Sequence, residues 1–324
     1  MRFNFPLFPE QASTMAGRVD ALYFFLLGVS LFFSTLIFAT VIYLAIKYHH
    51  RAGEEHAPGL VNDNVYLEIT WTVIPLALTM VMFVWGASVY FSMSRPPDNS
   101  LEIFVVGRQW MWKFQHPDGQ REINELHVPL GQPVKLVIAS EDVIHSFYVP
   151  VFRVKQDAVP GRYTTVWFEA TKTGRFHMFC AEYCGTQHSG MIGRIVVLEP
   201  VQYAAWLTGD VGGAGTAAAA TLPRAEGSVA DRGRRLFEQF GCIACHLPDR
   251  QGIGPVLSGV FGTQVRLQDG RTTLADESYV RESILQPQAK ITAGFQTLMP
   301  SFQGRLNEEE LMQLIAYIKS LGKK

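Results

Sequence analysis

Cys180-Ala-Glu-Tyr-Cys184-Gly-Thr-Gln-His188-Ser-Gly-Met191 gathers two thiols, an imidazole and a thioether within twelve residues. Thiolate and thioether select copper, whereas imidazole accepts several metals. Zinc suits the cysteines but makes little use of a thioether. A disulfide, or two buried thiols beside an unrelated His and Met, is the alternative. Weighing against it is one more strong ligand candidate upstream, His145 in Ser140-Glu-Asp-Val-Ile-His145-Ser-Phe147. The surroundings decide the fold. Short runs rich in Val, Ile, Phe and Thr cover residues 101–106, 134–139, 164–168, 175–180 and 193–198, punctuated by Gly, Pro, Asn and Asp. This pattern predicts an all-β sandwich or barrel. Cys180 then ends one strand and Met191 directly precedes another, so the sheet holds the metal loop at both ends. Such a site keeps its geometry during redox change. His177 lies three before Cys180 and faces the other side of its strand. His116 and His127 fall in loop-like sequence and are expected at the surface.

Toward the N-terminus the chain turns apolar. No charge occurs in the 26 residues between Asp20 and Lys47, nor in the 26 between Glu68 and Arg95. At 1.5 Å per residue each run is roughly 39 Å long, enough to cross a core of about 30 Å. Tyr66 and Trp71 at one end, and Tyr90 and Phe91 at the other, suit the aromatic belts of a membrane span. Pro75 is tolerated there. The first run is too long for a cleaved signal peptide, and Tyr-His-His-Arg after it offers no small-residue cleavage site. Lys47 and Arg51 in the connecting loop, against Arg2 and Arg18 before the first span, leave direction open. Neither span contains histidine, so this chain alone builds no membrane haem site with histidine ligands.

Toward the C-terminus, residues 209–221 are Gly- and Ala-rich and read as a linker. A helical stretch over residues 228–241 then runs into Cys242-Ile-Ala-Cys245-His246, the attachment motif of covalent haem c. No histidine follows His246, and the only later methionines are Met299 and Met312. Met312 lies inside a helix that opens at Asn307 with Glu310 three on, a capping-box pattern. Met299 lies in a loop, Thr-Leu-Met-Pro-Ser-Phe, and is the expected second iron ligand. The chain has 324 residues, near-zero net charge and no long basic run, which argues against nucleic acid as a partner. Its four cysteines all fall in these two motifs, leaving none for a disulfide framework.

Residues 140–147 and 180–191 resemble the dinuclear copper centre, CuA, of cytochrome c oxidase subunit II. The resemblance implies bridging sulfurs from Cys180 and Cys184. It implies His145, His188 and Met191 as the other side-chain ligands, with the carbonyl of Glu182 completing the set. The carboxylate of Glu182 matches one that binds magnesium at the large-subunit interface. Trp110-Met111-Trp112 matches a tryptophan-rich patch whose first member, here Trp110, receives the electron; the family often has tyrosine where Met111 stands. Glu68-Ile-Thr-Trp71-Thr-Val-Ile-Pro75 matches a segment whose glutamate stands at a proton-path entrance. The C-terminal segment resembles class I cytochrome c. There the carbonyl of Pro255 would orient His246, and Gly233 and Phe237 would pack the first helix against Tyr317.

Together these imply a two-helix transmembrane hairpin (residues 1–95) and an all-β cupredoxin-like Greek-key barrel (96–207). A flexible linker (208–227) and an all-α cytochrome c domain (228–324) follow. The whole resembles subunit II of caa-type oxidases, which relay electrons from a periplasmic donor such as cytochrome c through haem c and CuA to subunit I, beside subunit III. Such proteins lie in the bacterial inner membrane, against lipid, with both metal domains on the periplasmic side. Two other readings fit the motifs: a CuA-bearing subunit of a nitric oxide reductase, and a membrane-tethered electron carrier that is not an enzyme. Glu68 and Glu182 favour the oxidase, because both have a use only beside a large proton-pumping subunit.

Overall fold

The computed structural model describes residues 8–49, 63–209, 227–247 and 252–322. The expected linker and the loop between Lys47 and Glu68 fall largely outside these. Helices α1 (Ala16–Lys47) and α2 (Val65–Ser94) hold 32 and 30 residues. At 1.5 Å per residue both exceed a hydrocarbon core of about 30 Å. Side chains such as Phe24, Leu31, Phe38 and Ile46 stand exposed along α1. A helix apolar all round needs a protein core or lipid around it, and both helices are long and apolar enough to cross a membrane. Phe25 and Trp85 join α1 to α2 at 5.2 Å between ring centroids. Asn64 caps α2 by accepting from the Leu67 amide.

Ten strands follow: β1 (Leu101–Arg108), β2 (Met111–Gln115), β3 (Arg121–Ile123), β4 (Glu125–Pro129), β5 (Pro133–Ser140), β6 (His145–Val149), β7 (Val154–Ala158), β8 (Thr164–Glu169), β9 (Gly174–Cys180) and β10 (Ile192–Leu198). They form two five-stranded sheets, ordered β3-β2-β1-β5-β8 and β4-β10-β9-β6-β7. Trp112, Phe114, Leu136, Ile138, Phe147, Phe168 and Ile195 fill the space between them. This is the cupredoxin-like architecture. Helix α3 (Pro200–Thr208) closes the domain.

The C-terminal domain holds α4 (Val229–Gln239), a small ladder of β11 (Gln264–Arg266) and β12 (Thr272–Leu274), α5 (Glu277–Leu285) and α6 (Glu308–Ser320). Full capping boxes start α4 at Ser228 with Asp231, and α6 at Asn307 with Glu310. Helices α4 and α6 cross at Gly233, where a Cβ would lie 1.9 Å from the Gln313 carbonyl oxygen, so only glycine permits the crossing. Phe237 meets Tyr317 beside it, 5.3 Å between centroids. The ladder β11–β12 adds to the expected helices.

The C-terminal domain sits on the outer face of the first sheet. Strand β1 buries both faces: Ile103 and Val105 point between the sheets, while Phe104 and Val106 join one apolar cluster with Leu311, Leu314 and Ile315 of α6. Val137 and Ala139 of β5 enter the same cluster. The amide of Val229 donates to the Pro117 carbonyl (3.1 Å), and Arg121 pairs with Glu309. Fully burying a Phe or Val is worth roughly 1.5–3 kcal/mol, whereas a shielded ion pair gives back much of its attraction as desolvation. Apolar contact therefore supplies most of the adhesion, and the charges set position.

Candidate metal and haem sites

The loops after β5 and β9 bring five side chains together. Cys180 Sγ lies 3.8 Å from Cys184 Sγ, 4.0 Å from His145 Nδ1 and 3.2 Å from the Glu182 carbonyl oxygen. Cys184 Sγ lies 3.4 Å from His188 Nδ1 and 3.7 Å from Met191 Sδ. Both cysteines, His145 and Met191 are buried, the imidazole completely. Two sulfurs at the centre, with an imidazole Nδ1 turned to each, form a soft donor set that fits a copper pair. Burial would raise the Cys180 thiol, but hydrogen bonds from His145 and from the Ser146 and Glu182 backbone outweigh it and bring it well below the ordinary thiol value. Burial and the neighbouring Cys180 push Cys184 up. The pair thus offers one thiolate readily, and a bound cation would favour loss of the second proton.

Sequence reasoning missed Asp142. Its Oδ1 accepts from His145 Nε2 at 2.7 Å, which leaves Nδ1 free to face the sulfur. The Gln109 amide donates to its other oxygen at 2.8 Å. Burial works against this carboxylate, yet these bonds hold it below the ordinary range. Carboxylates behind metal-facing histidines recur because they settle the tautomer, so a Asp three residues before a candidate ligand was the signal to use. Trp110 Nε1 and Gln109 Nε2 both donate to the Cys184 carbonyl, at 3.2 and 2.8 Å. Gly185 adopts φ +116°, a conformation that favours glycine, and a Cβ there would lie 2.9 Å from Gln109 Nε2. Glu182 is exposed on the same loop, and Glu68 lies in the first turn of α2. His177 is exposed, opposite Met178 and Cys180 in its strand.

The expectation of surface positions for His116 and His127 is overturned. His116 is fully buried, with Nε2 2.8 Å from Glu122 Oε1 and Nδ1 3.1 Å from the Tyr203 hydroxyl. His127 is mostly buried in β4, its Nδ1 2.5 Å from Glu122 Oε2 and its ring stacked on Trp206 at 4.5 Å. Burial would raise the Glu122 carboxyl, but the two imidazoles outweigh that and lower it. The turn-forming residues Pro117, Asp118 and Gly119 suggested solvent. Tyr203 and Trp206 of α3 instead pack against the two imidazoles and cover them.

In the C-terminal domain a cavity of about 270 Å³ is lined by Cys242, Cys245, His246, Pro255 and Met299 together with Leu257, Ile284, Phe302 and Leu314. His246 Nδ1 lies 2.9 Å from the Pro255 carbonyl oxygen, leaving Nε2 for another partner. Gly254 passes close under the ring, where a Cβ would lie 2.7 Å from His246 Cε1. Met312 is buried inside α6. An apolar cavity holding two thiols, an oriented imidazole and a thioether fits a haem. Replacing Met299 with Leu is expected to leave haem content unchanged but abolish the sulfur-to-iron absorption band. The haem potential should shift on the order of 100 mV, because axial ligands set it. An unchanged band would assign that ligand elsewhere.

Family models match along the chain: the transmembrane domain of cytochrome c oxidase subunit II over residues 2–88, its periplasmic domain over 120–199, and cytochrome c over 230–322. Cytochrome c oxidase subunit 2 of Alkalihalophilus pseudofirmus is 31% identical over 300 residues, covering 89% of this chain and 82% of the relative. The chain belongs to the cytochrome c oxidase subunit II family. Cytochrome c oxidase subunit 2 of Thermostichus vulcanus is 30% identical over 62% of the chain and 77% of its own length. Among solved structures, the periplasmic domain of subunit II of cytochrome oxidase (CoxB) of Bradyrhizobium japonicum is 34% identical, covers 36% of the chain and 96% of that structure, and aligns with a TM-score of 0.34. For this member of subunit II the matches imply copper in the sandwich, haem in the C-terminal domain, and a subunit I partner in a membrane oxidoreductase complex.

Proposed function

We propose that the chain relays electrons from an external donor to subunit I of a haem-copper oxidase. When bound, a haem held covalently by Cys242 and Cys245, and a copper pair, supply the one-electron chemistry of this relay. Convergence of Cys180, Cys184, His145, His188 and Met191 on one buried point carries the reading. The residues' work is to hold geometry. Asp142 fixes the His145 tautomer, the Pro255 carbonyl fixes the His246 ring, and the sheets pin both ends of the copper loop. Met299 would offer its thioether to the haem iron and Glu182 its backbone carbonyl to the copper pair, while the exposed Glu182 carboxylate would hold a magnesium ion toward subunit I. Trp110, hydrogen-bonded to the Cys184 carbonyl, is the residue through which electrons reach the copper loop. Both metal domains face the periplasm of the bacterial inner membrane, since covalent haem is attached outside the cytoplasm. Subunit III and a periplasmic cytochrome c complete the partners.

Mixing the reduced donor with the purified oxidase tests the relay. The haem c spectrum is expected to change first and the near-infrared copper band second. The reverse order would refute the relay direction. Glu68, in an otherwise uncharged span, acts at the inner mouth of a proton path, since ionisable groups there are expensive and usually functional. Glu68→Gln is expected to slow turnover roughly tenfold, with copper and haem c content unchanged. Native turnover across pH in the assembled variant would reduce Glu68 to an interfacial charge.

A further inference from the structure

We propose that the outer face of β1 and β5 is a built docking surface for the C-terminal domain, and that Glu102, Lys135, Glu277 and Lys319 form a salt-sensitive latch that fixes its position. Two of these residues belong to each domain. Lys135 Nζ lies 3.0 Å from Glu102 and 3.3 Å from Glu277. Lys319 Nζ lies 2.7 Å from Glu102 and 3.2 Å from Glu277. Each ammonium thus touches one carboxylate of its own domain and one of the other. All four side chains are largely shielded, at 16–28% exposure. Burial would disfavour their charges, yet the opposite partners raise Lys135 and lower Glu277. A second pairing lies nearby: Arg281 pairs with Glu308 in its own domain, donates to the Gly161 carbonyl and sits over the Tyr163 ring, 5.6 Å away, in the other.

Two observations make this a designed seat. Strands β1 and β5 carry apolar residues on both faces, which a sheet shows only where both are covered. The covalent connection does not impose the position either. Between Gly209 and Gly227 the chain has an extended reach of roughly 60 Å, so surface complementarity selects the seat. Docking also leaves the rim of the haem cavity free. Ile253 and Leu298 on that rim are 59% and 62% exposed, so an external donor and the sandwich engage different parts of the domain. The latch stands independently of the electron-relay reading.

Zero-length carbodiimide cross-linking of the intact oxidase, read by mass spectrometry, tests the proposal. Lys319–Glu102 and Lys135–Glu277 cross-links are expected at low ionic strength. Lys113–Glu141 within the sandwich and Lys290–Glu282 within the C-terminal domain serve as controls, at 3.0 and 2.6 Å. At 1 M salt, where the screening length is about 3 Å, the interdomain yield should fall at least threefold relative to the controls. Glu277→Lys should lower the Lys319–Glu102 yield about tenfold, and adding Lys135→Glu should restore it. Haem and copper spectra, with the control cross-links, report whether each variant is folded. If a variant misfolds, the salt series on the natural chain decides. Control cross-links without interdomain ones at low salt would overturn the docking surface. A salt-independent yield, or failure of the double variant to recover, would overturn the latch.

Discussion

Serine in place of Cys180 or Cys184 is expected to abolish the paired copper spectrum and to lower oxidase turnover by at least about 100-fold. Loss of a residue merely behind a metal ligand costs 10–100-fold, and here a central donor is removed. Each sulfur has a different set of neighbours: Cys180 faces His145 and the Glu182 carbonyl, Cys184 faces His188 and Met191. Either substitution therefore leaves half of the donor set without its central sulfur. Haem content should remain native, because Cys242, Cys245 and His246 lie in another domain. Copper analysis and near-infrared absorption check the outcome. Two coppers with the native band in either variant would remove the cysteines from the site. Asp142→Asn should give a milder version of the same defect, with copper retained but bound about 10-fold more weakly.

Truncation after Leu207 is expected to lower oxidation of the natural donor by roughly tenfold or more, because the copper domain then loses the haem domain that is both tethered to it and docked on it. The copper band should persist, since the five copper-facing side chains and their two sheets precede the cut. An artificial donor that reduces the copper site directly should still support oxygen uptake. A native rate with the natural donor would make the C-terminal domain an accessory. The docked structure adds a second expected result. Removing the domain uncovers Phe104, Val106, Val137 and Ala139 together, an apolar patch of the kind that drives association. The truncated oxidase should self-associate in detergent, and Phe104→Ser with Val106→Thr should reverse this without altering the copper band. Light scattering reads both.

The seat also changes how delivery works. Linker composition allows a mobile haem domain, and the subunit II resemblance makes Trp110 its landing point. In the structure, Trp110 belongs to the packing of the copper loop, and the haem domain rests on the far side of β1. Strand β1 nonetheless connects the two places. Val106 packs in the interdomain cluster, and the next residue, Gly107, lies so near His145 that a Cβ would meet its ring at 3.1 Å.

What the sequence determined by itself was everything encoded in short-range spacing. The Cys180–Met191 loop, the Cys242–His246 run, both apolar spans, five of the ten sandwich strands and the capping box at Asn307 are properties of neighbouring residues. Periodicity, cap chemistry and ligand spacing are local, so one strand of sequence suffices to read them. Tertiary structure decided whatever depends on residues far apart in the chain. Asp142 gains its meaning only once His145 turns Nε2 toward it. His116 and His127 sit among turn-forming residues, yet α3, some eighty positions on, buries them around Glu122. The run Ile103-Phe-Val-Val106 lacks the alternation of a half-exposed strand, a sign that both faces are covered. What covers the second face could come only from packing, because burial is a property of two surfaces and a sequence displays them one residue at a time.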